Sequence, residues 1–511
     1  MADVLPRHVL HVGNILNNGY LHAKYLRRHG VGAEVLNVDD VHCQAQPEWA
    51  EVHLSDPVAE WGQDWNTLDL GGFYRPEWYH GVANSALPAL ARHLDGLPCP
   101  PGGVARAPQL TALPPLTALH YSVRRTIARA MGAAGFEATV ERIRNHVRLV
   151  RLERAGLSRR DVDRLVANLC AEFRHFFPDA TRPLSRDDIH EFLPGATARS
   201  SVLARFQLIQ AYSLDPIHAL LGAPGQPFVC YEHGTMRDFP FEDSARGRLY
   251  SLALKKAEKV FITNADCIEA ARRLKLDNWV FVPHLIDDER FTPGETALRA
   301  SLLKEANADR LILCPARHHW KNAPPGLENS FFKGNDKLIR GLAKFMKERP
   351  QHRVAAVFFS FGQEVELSRQ LIAEMGISDQ VLWRPIQSKL AMRDYYRAAD
   401  LVCDQFHGEI RAFGAVVGEA MACGKPMLSN LNRELNAQAF PVLPPIVHAT
   451  AADAIHQALL ELFDTPEALP RLGAESLAWY REHHSSRLVM ERMIGVYTEI
   501  AHRFGWDWSF N

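Results

Sequence analysis

The fold class this sequence predicts is α/β: two Rossmann-like domains in series, facing a cleft, with a helical insertion in the first. Three observations carry it. The chain opens on a β–loop–α–β pattern, with "HVLHVG" (8–13), a helix from Gly19 to about Arg28 and "AEVLNV" (33–38). A second series of alternating strands and helices begins after a linker-like stretch, "LIDDERFTPGE" (285–295). The strands of both series are continuous apolar runs, as expected where helices cover both faces of a parallel sheet. At 511 residues the chain is also too long for one core.

In the first domain the loop after the opening strand reads "GNILNNG", without the GxGxxG of dinucleotide-binding folds, and Asp39 and Asp40 follow the second strand. From about 43 to 200 the pattern loosens. Trp49, Trp61, Trp65, Trp78 and the Pro-rich "LPCPPGGVARAPQLTALPP" suggest loops and an insertion, and 121–175 reads as arginine-rich helix. That basic stretch has two readings: a solvated helical face, or a surface for an anionic acceptor or membrane headgroups. Strands resume at "FQLIQAY", "FVCYEHG", "KVFITN" and "WVFVPH", with helices at 243–258 and 264–275. The second series has strands "LILCPA" (311–316), "VAAVFFSFG" (354–362), "VLWRPI" (381–386), "DLVCDQF" (400–406) and "KPMLSN" (425–430). Its helices fall at about 335–348, 364–375, 388–398 and 413–423, and the tail is helical over about 451–503. The domains expected are therefore 1–285, with the insertion at about 43–200, then 286–480, then a C-terminal helix at 481–511. That helix carries an apolar stripe (Leu488, Met490, Met493, Ile494, Val496, Tyr497, Ile500) and then Trp506, Trp508 and Phe510, so it must be covered.

Lys plus Arg (58) and Asp plus Glu (59) nearly cancel, which gives no global reason to expect nucleic-acid binding. The eight cysteines form no CxxC pair and suit buried thiols in a reducing cytoplasm. No signal-peptide pattern and no apolar run of the ~20 residues that span a bilayer is seen, so a soluble or at most peripheral protein is expected.

In open α/β sheets, ligands sit at the carboxyl ends of strands. Arg317 follows "LILCPA", and Lys333 and Gly334 open a helix at "KGNDKLIRGLAKF"; an Arg at a strand end and a Lys at a helix N-terminus suit a diphosphate. Each alone is also an ordinary surface cation, and Lys321 is the alternative to Lys333. After "DLVCDQF" comes "HGEIRAFGAVVGEAMACGKP". Gly414 would let a ligand approach the backbone closely. Glu419, among small apolar residues, needs a partner, because an unpaired buried carboxylate is costly. Either a salt bridge or cap contact supplies it, or a ligand bearing hydroxyls, such as a ribose. His233 at the end of "FVCYE" is either structural or placed for ligand contact.

The pieces "LCPAR…KGNDKLI", "VLWRPI…MRDYYRAADLVCDQF" and "AFGAVVGEAMACGKPMLSN" resemble the donor domain of GT4-type retaining glycosyltransferases, the glycosyltransferase group 1 family, which have the GT-B fold. "YEHGT", "VFVPHLIDDERF" and "HVLHVGN…NNGYLHAKYLRRHGV" are similar to that family's first-domain histidine loop, interdomain strand and N-terminal loop. The resemblance covers about 200–440 well and 8–40 moderately. It implies a transferase that moves a sugar from a nucleotide-sugar donor to a hydroxyl of a glycan, lipid-linked or other acceptor. By position, Arg317 and Lys333 would hold the diphosphate and Glu419 the ribose. Asp404 and the backbone of Phe413, Gly414, Ala415 and Val416 would line the donor site, and His233 would lie by the transferred sugar. Asn14, Asn17, Asn18 and Gly19 would form the loop over the reaction centre. The terminal helix would cross back onto the first domain.

One departure stands out: eight residues before Glu419, where the family carries a glutamate for the donor sugar, this chain has Arg411. Glu409 and Asp404 lack that spacing. The sugar, the base and the oligomeric state stay open, as does a peripheral contact with the inner face of the membrane. No metal or other cofactor is expected, because nothing resembles the closely spaced carboxylate pair that would chelate a divalent cation between diphosphate oxygens, and the "HH" pairs at 318–319 and 483–484 lack partners at metal-site spacing. The readings left beside the transferase are a nucleotide-sugar epimerase, a phosphorylase, or a non-catalytic nucleotide-sugar-binding protein.

Overall fold

The computed structural model describes residues 8–54, 58–97, 158–322, 332–408 and 414–508. Its first sheet has seven parallel strands: β1 (Val9–Val12), β2 (Ala33–Val38), β3 (Tyr79–Val82), β4 (Leu208–Tyr212), β5 (Phe228–Tyr231), β6 (Lys259–Ile262) and β7 (Trp279–Phe281), in the order β3-β2-β1-β4-β5-β6-β7. The second has six: β8 (Arg310–Cys314), β9 (Val354–Phe359), β10 (Val381–Arg384), β11 (Leu401–Cys403), β12 (Met427–Ser429) and β13 (Ile446–His448), in the order β10-β9-β8-β11-β12-β13. The strand order reverses beside β1 and again beside β8. Such points open a crevice above the carboxyl ends of the strands.

Both faces of each sheet are covered, which explains the unbroken apolar runs. In β1, Leu10 faces a core built with the helices Arg186–Leu203, Pro216–Gly222 and Ala245–Lys256, while Val9 faces the opposite one. In β8, Leu311 and Leu313 point to one core, and Ile312 and Cys314 to the other.

The span 43–200 is not one insertion. Tyr79–Val82 is the edge strand of the first sheet, with Tyr79 opposite Val35. The helices Leu87–Leu94, Arg159–Phe176 and Arg186–Leu203 give Leu90, Val166 and Leu193 to the core beneath it. The strand is four residues long with a glycine in it, too short to show a period. Residues 98–157, with most of the Pro-rich and arginine-rich stretches, lie outside the described residues. Of the cysteines, Cys43, Cys170, Cys230, Cys267, Cys314, Cys403 and Cys423 are buried free thiols.

The helix Ser486–Phe504 lies on the first sheet. Val489, Met490, Met493, Val496, Tyr497 and Ile500 share a buried cluster with Val9, Val35, Leu208 and Phe261. Tyr497 donates its hydroxyl proton to Gln210 on β4, and Trp508 Nε1 donates to Gln207 at 2.7 Å. The interdomain linker is held from both sides. Asp287 accepts from Lys24 Nζ at 3.2 Å and Tyr25 Oη at 3.0 Å, while Asp288 accepts from Tyr480 Oη at 3.1 Å and the Ser486 N–H at 2.8 Å.

Candidate active site

A cavity of about 640 Å³ lies between the two domains and takes walls from both. On the second-domain side it is built from the ends of β8 and β11. Arg317 follows β8 by three residues and faces the cavity. Lys333 is strapped between the two strand ends: its N–H donates to the His319 carbonyl at 2.7 Å, and its carbonyl accepts from the Phe406 N–H at 2.7 Å. Its ammonium donates to Gln405 Oε1 at 3.0 Å. Burial, and then the Arg317 charge, lowers the Lys333 pKa to about 8 against the pull of Asp404. Burial raises Asp404 to about 6, with Lys333 opposing and Glu419 adding to the rise. Burial also lowers Arg317, with Glu60 opposing. Two cations held together in a partly dry site suit an anion, because an arriving anion would relieve both the crowding and the lost hydration.

The helix Ala415–Ala422 opens onto this wall, and Gly414, Ala415 and Val416 line the cavity. The first N–H groups of a helix have no partner within it and favour an anion. Phe413, Arg411 and Glu409 lie outside the described residues. Glu419 is buried one turn further in, yet reaches the cavity. Tyr396 Oη donates to its Oε2 at 3.0 Å, and the Lys389 ammonium pairs with Oε1. Both oxygens are thus satisfied, which is how a carboxylate is tolerated on a helix made for burial. Lys389 and Tyr396 also line the cavity, so the ion pair and the cavity-facing position are one arrangement.

On the first-domain side His233, Asn17 and Asn18 line the cavity. The Asn18 side-chain amide donates to the Ile15 carbonyl at 2.9 Å and lies 2.8 Å from His233 Nε2. With the amide nitrogen as donor, Nε2 accepts and the ring carries its proton on Nδ1. Burial, the largest effect on the ring, lowers its pKa and so favours that neutral form. Asn14 and Gly19 do not face the cavity; they shape the loop from beneath. Asn14 donates to Asn17 Oδ1 at 2.9 Å and to the Ala45 carbonyl at 2.7 Å, and accepts from the Tyr20 N–H at 2.7 Å. A Cβ on Gly19 would lie 2.5 Å from the Gly13 carbonyl, so only glycine fits that approach.

Sequence reasoning missed three parts of the site. Arg237 lines the first-domain wall, tied to Asp266 by two parallel bonds at 2.8 and 2.9 Å; its only signal was its place four residues after His233. Lys389 resembles any surface lysine until the fold brings it to Glu419. Gln44, Trp49 and Ala50 reach the cavity from the segment read as insertion. That segment also touches the second domain. Ser388 Oγ donates to the Val52 carbonyl at 2.8 Å and accepts from the Leu54 N–H at 3.3 Å, and Ile386 packs on the cluster around Trp49. Among the described residues no group of three or more His, Cys, Asp and Glu side chains could hold a metal, and no helix is long and apolar enough to cross a membrane.

Two parallel α/β sheets sharing a cavity between the carboxyl ends of their strands are the GT-B architecture. Residues 330–475, most of the second domain, match the family model described as glycosyl transferases group 1. Two curated relatives are D-inositol 3-phosphate glycosyltransferases. The one from Thermobispora bispora is 31% identical over 183 residues, covering 34% of this chain and 41% of the relative. The one from Segniliparus rotundus is 31% identical over 200 residues, covering 39% and 42%. The chain thus spans about two-fifths of the length of these relatives. A crystal structure of a glycosyltransferase from Rickettsia africae superimposes over 97% of this chain and 98% of its own, with a TM-score of 0.51 at 11% identity, which shows the shared fold.

Proposed function

We propose that this protein transfers a glycosyl group from a nucleotide-sugar donor to a hydroxyl of a glycan, lipid-linked or other acceptor, with retention of anomeric configuration. The observation that carries the reading is the convergence of Arg317, Lys333 and the N-terminus of the helix Ala415–Ala422 on one wall of an interdomain cavity. A leaving nucleoside diphosphate gains negative charge as the glycosidic bond breaks. Cations and N–H dipoles fixed beforehand stabilise that charge without reorganising. On this reading Glu419, which lines the cavity, accepts from ribose hydroxyls, and His233 on the facing wall lies where the sugar and acceptor would meet. The cavity holds donor and acceptor in one enclosed space, which lowers the entropic cost of their encounter. Retention rests on the family resemblance, and no covalent nucleophile is assigned.

The test is thermal unfolding with UDP, GDP, CDP and dTDP, followed by turnover of the matching nucleotide sugars with hydroxylic acceptors. A ligand at 100 times its Kd adds about 2.7 kcal/mol of stability. No stabilisation by any of the four, or turnover without a second substrate, would overturn the reading. Turnover is expected to persist in excess EDTA, since charge on the diphosphate is met by Arg317 and Lys333; a loss restored by magnesium or manganese would assign that task to a metal.

The lowered Lys333 pKa gives a pH dependence with a definite sign. A bound diphosphate favours the ammonium form, so binding takes up a proton wherever Lys333 is partly neutral. Affinity should therefore fall as pH rises through about 8, by at most about tenfold per pH unit. Isothermal titration between about pH 7 and about pH 9 measures it, and Lys333→Arg should flatten the dependence. A slope unchanged in Lys333→Arg would assign the proton to another group.

A further inference from the structure

The loop that presents Arg317 is gripped from one direction by a residue with no counterpart in the site described above. Glu364, just before the helix Val365–Glu374, is 2% exposed. It accepts from three consecutive backbone N–H groups beyond Arg317: those of Trp320, Lys321 at 2.8 Å and Asn322 at 2.5 Å. The Asn322 side-chain amide adds a fourth bond at 2.8 Å. Successive N–H groups turned towards one point form a concave anion nest, and here the protein's own carboxylate fills it.

The surrounding contacts fix the same loop. The His318 N–H donates to the Phe361 carbonyl at 2.7 Å, and the Glu364 N–H donates to the His318 carbonyl at 3.1 Å. Gly362, at φ +105°, leaves room for this: a Cβ there would lie 2.6 Å from both the nitrogen and the carbonyl oxygen of His318. Ser368 Oγ lies 2.8 Å from His318 Nδ1 and accepts from Trp320 Nε1 at 2.9 Å. The far side of the loop meets Lys333, whose N–H donates to the His319 carbonyl. One carboxylate therefore holds the backbone that sets both cations, and its charge is spent on N–H groups rather than on Arg317 or Lys333.

We infer that Glu364 is a positioning residue for diphosphate binding, acting through the Arg317 loop; the inference rests on the donor reading above. Charge-assisted bonds to three N–H groups are strong and directional. Glu364→Gln keeps the shape but supplies one acceptor oxygen in place of two.

The probes are inorganic pyrophosphate and the tightest of the four nucleoside diphosphates, measured by isothermal titration, together with hydrogen exchange of the Trp320, Lys321 and Asn322 amides. Glu364→Gln should speed exchange at those amides and weaken binding by about tenfold or more. In an Arg317→Ala background the same change should weaken binding less than in wild type, because the part of its effect that passes through Arg317 is already lost. An equal loss in both backgrounds would make Glu364 merely structural, and unchanged affinity would end the proposal. If wild type binds no diphosphate the donor reading fails and the positioning role with it, while unaltered exchange in Glu364→Gln would sink the loop clamp alone. Should Glu364→Gln not fold, Ser368→Ala loosens the same loop from its other anchor and should act in the same direction; unchanged affinity there would count against the proposal.

Discussion

Arg317→Ala and Lys333→Ala are each expected to lower turnover by about 10²–10³-fold with the fold intact. The expectation follows from where the charges sit. Both face the cavity, and both have pKa values lowered by burial, a cost that a bound anion would offset. Removing Lys333 removes a cation whose burial opposes folding, so the variant should unfold no earlier than wild type while losing its chemistry. The two effects together separate the proposal from a general structural role, in which stability and turnover would fall in step. Turnover within a few-fold of wild type in either variant would place the diphosphate elsewhere. The measurement is single-turnover transfer alongside urea unfolding.

Glu419→Gln is expected to lower nucleotide affinity by about 1–3 kcal/mol, the range for a hydrogen bond to a charged group. Its ion pair with Lys389 and its bond from Tyr396 mean that the same change will also cost some stability. Affinity alone therefore does not decide the role. The ribose does: wild type should prefer a nucleoside diphosphate to its 2′-deoxy form, and Glu419→Gln should lose that preference. Equal binding of both forms by wild type would leave Glu419 a partner of Lys389 and nothing more. Lys389 must shift if the ribose is to share the carboxylate, so Lys389→Met should raise affinity or leave it unchanged.

The parts of the fold legible in the sequence were those whose physics is local. β8, β9 and β11 are apolar runs because both faces are covered, and their limits fell within a few residues of those expected. β3 was not legible, since "YHGV" at a sheet edge has only half its residues buried. The helix Arg186–Leu203 carries Pro194 and no clear apolar stripe, so only the capping box of Ser185 and Asp188 marked its start. In the site, Arg317, Lys333 and Glu419 stood out because strand ends and an apolar helix made them anomalous. Lys389, Arg237 and Glu364 did not, because their significance depends on partners distant in sequence or on a backbone nest that no residue type announces.

The helix Ser486–Phe504 belongs to the first domain in space but follows the second in sequence, and this sets an order in time. While the ribosome makes the second domain, at about 5–20 residues per second, the face of the first sheet bearing Val9, Val35, Leu208 and Phe261 is covered by the helix Asn18–Arg28 but lacks the cover that Val489, Met493 and Tyr497 supply. The domain encoded first is thus finished only after the second has been synthesised. For that interval its nascent form presents an apolar surface of the kind chaperones bind.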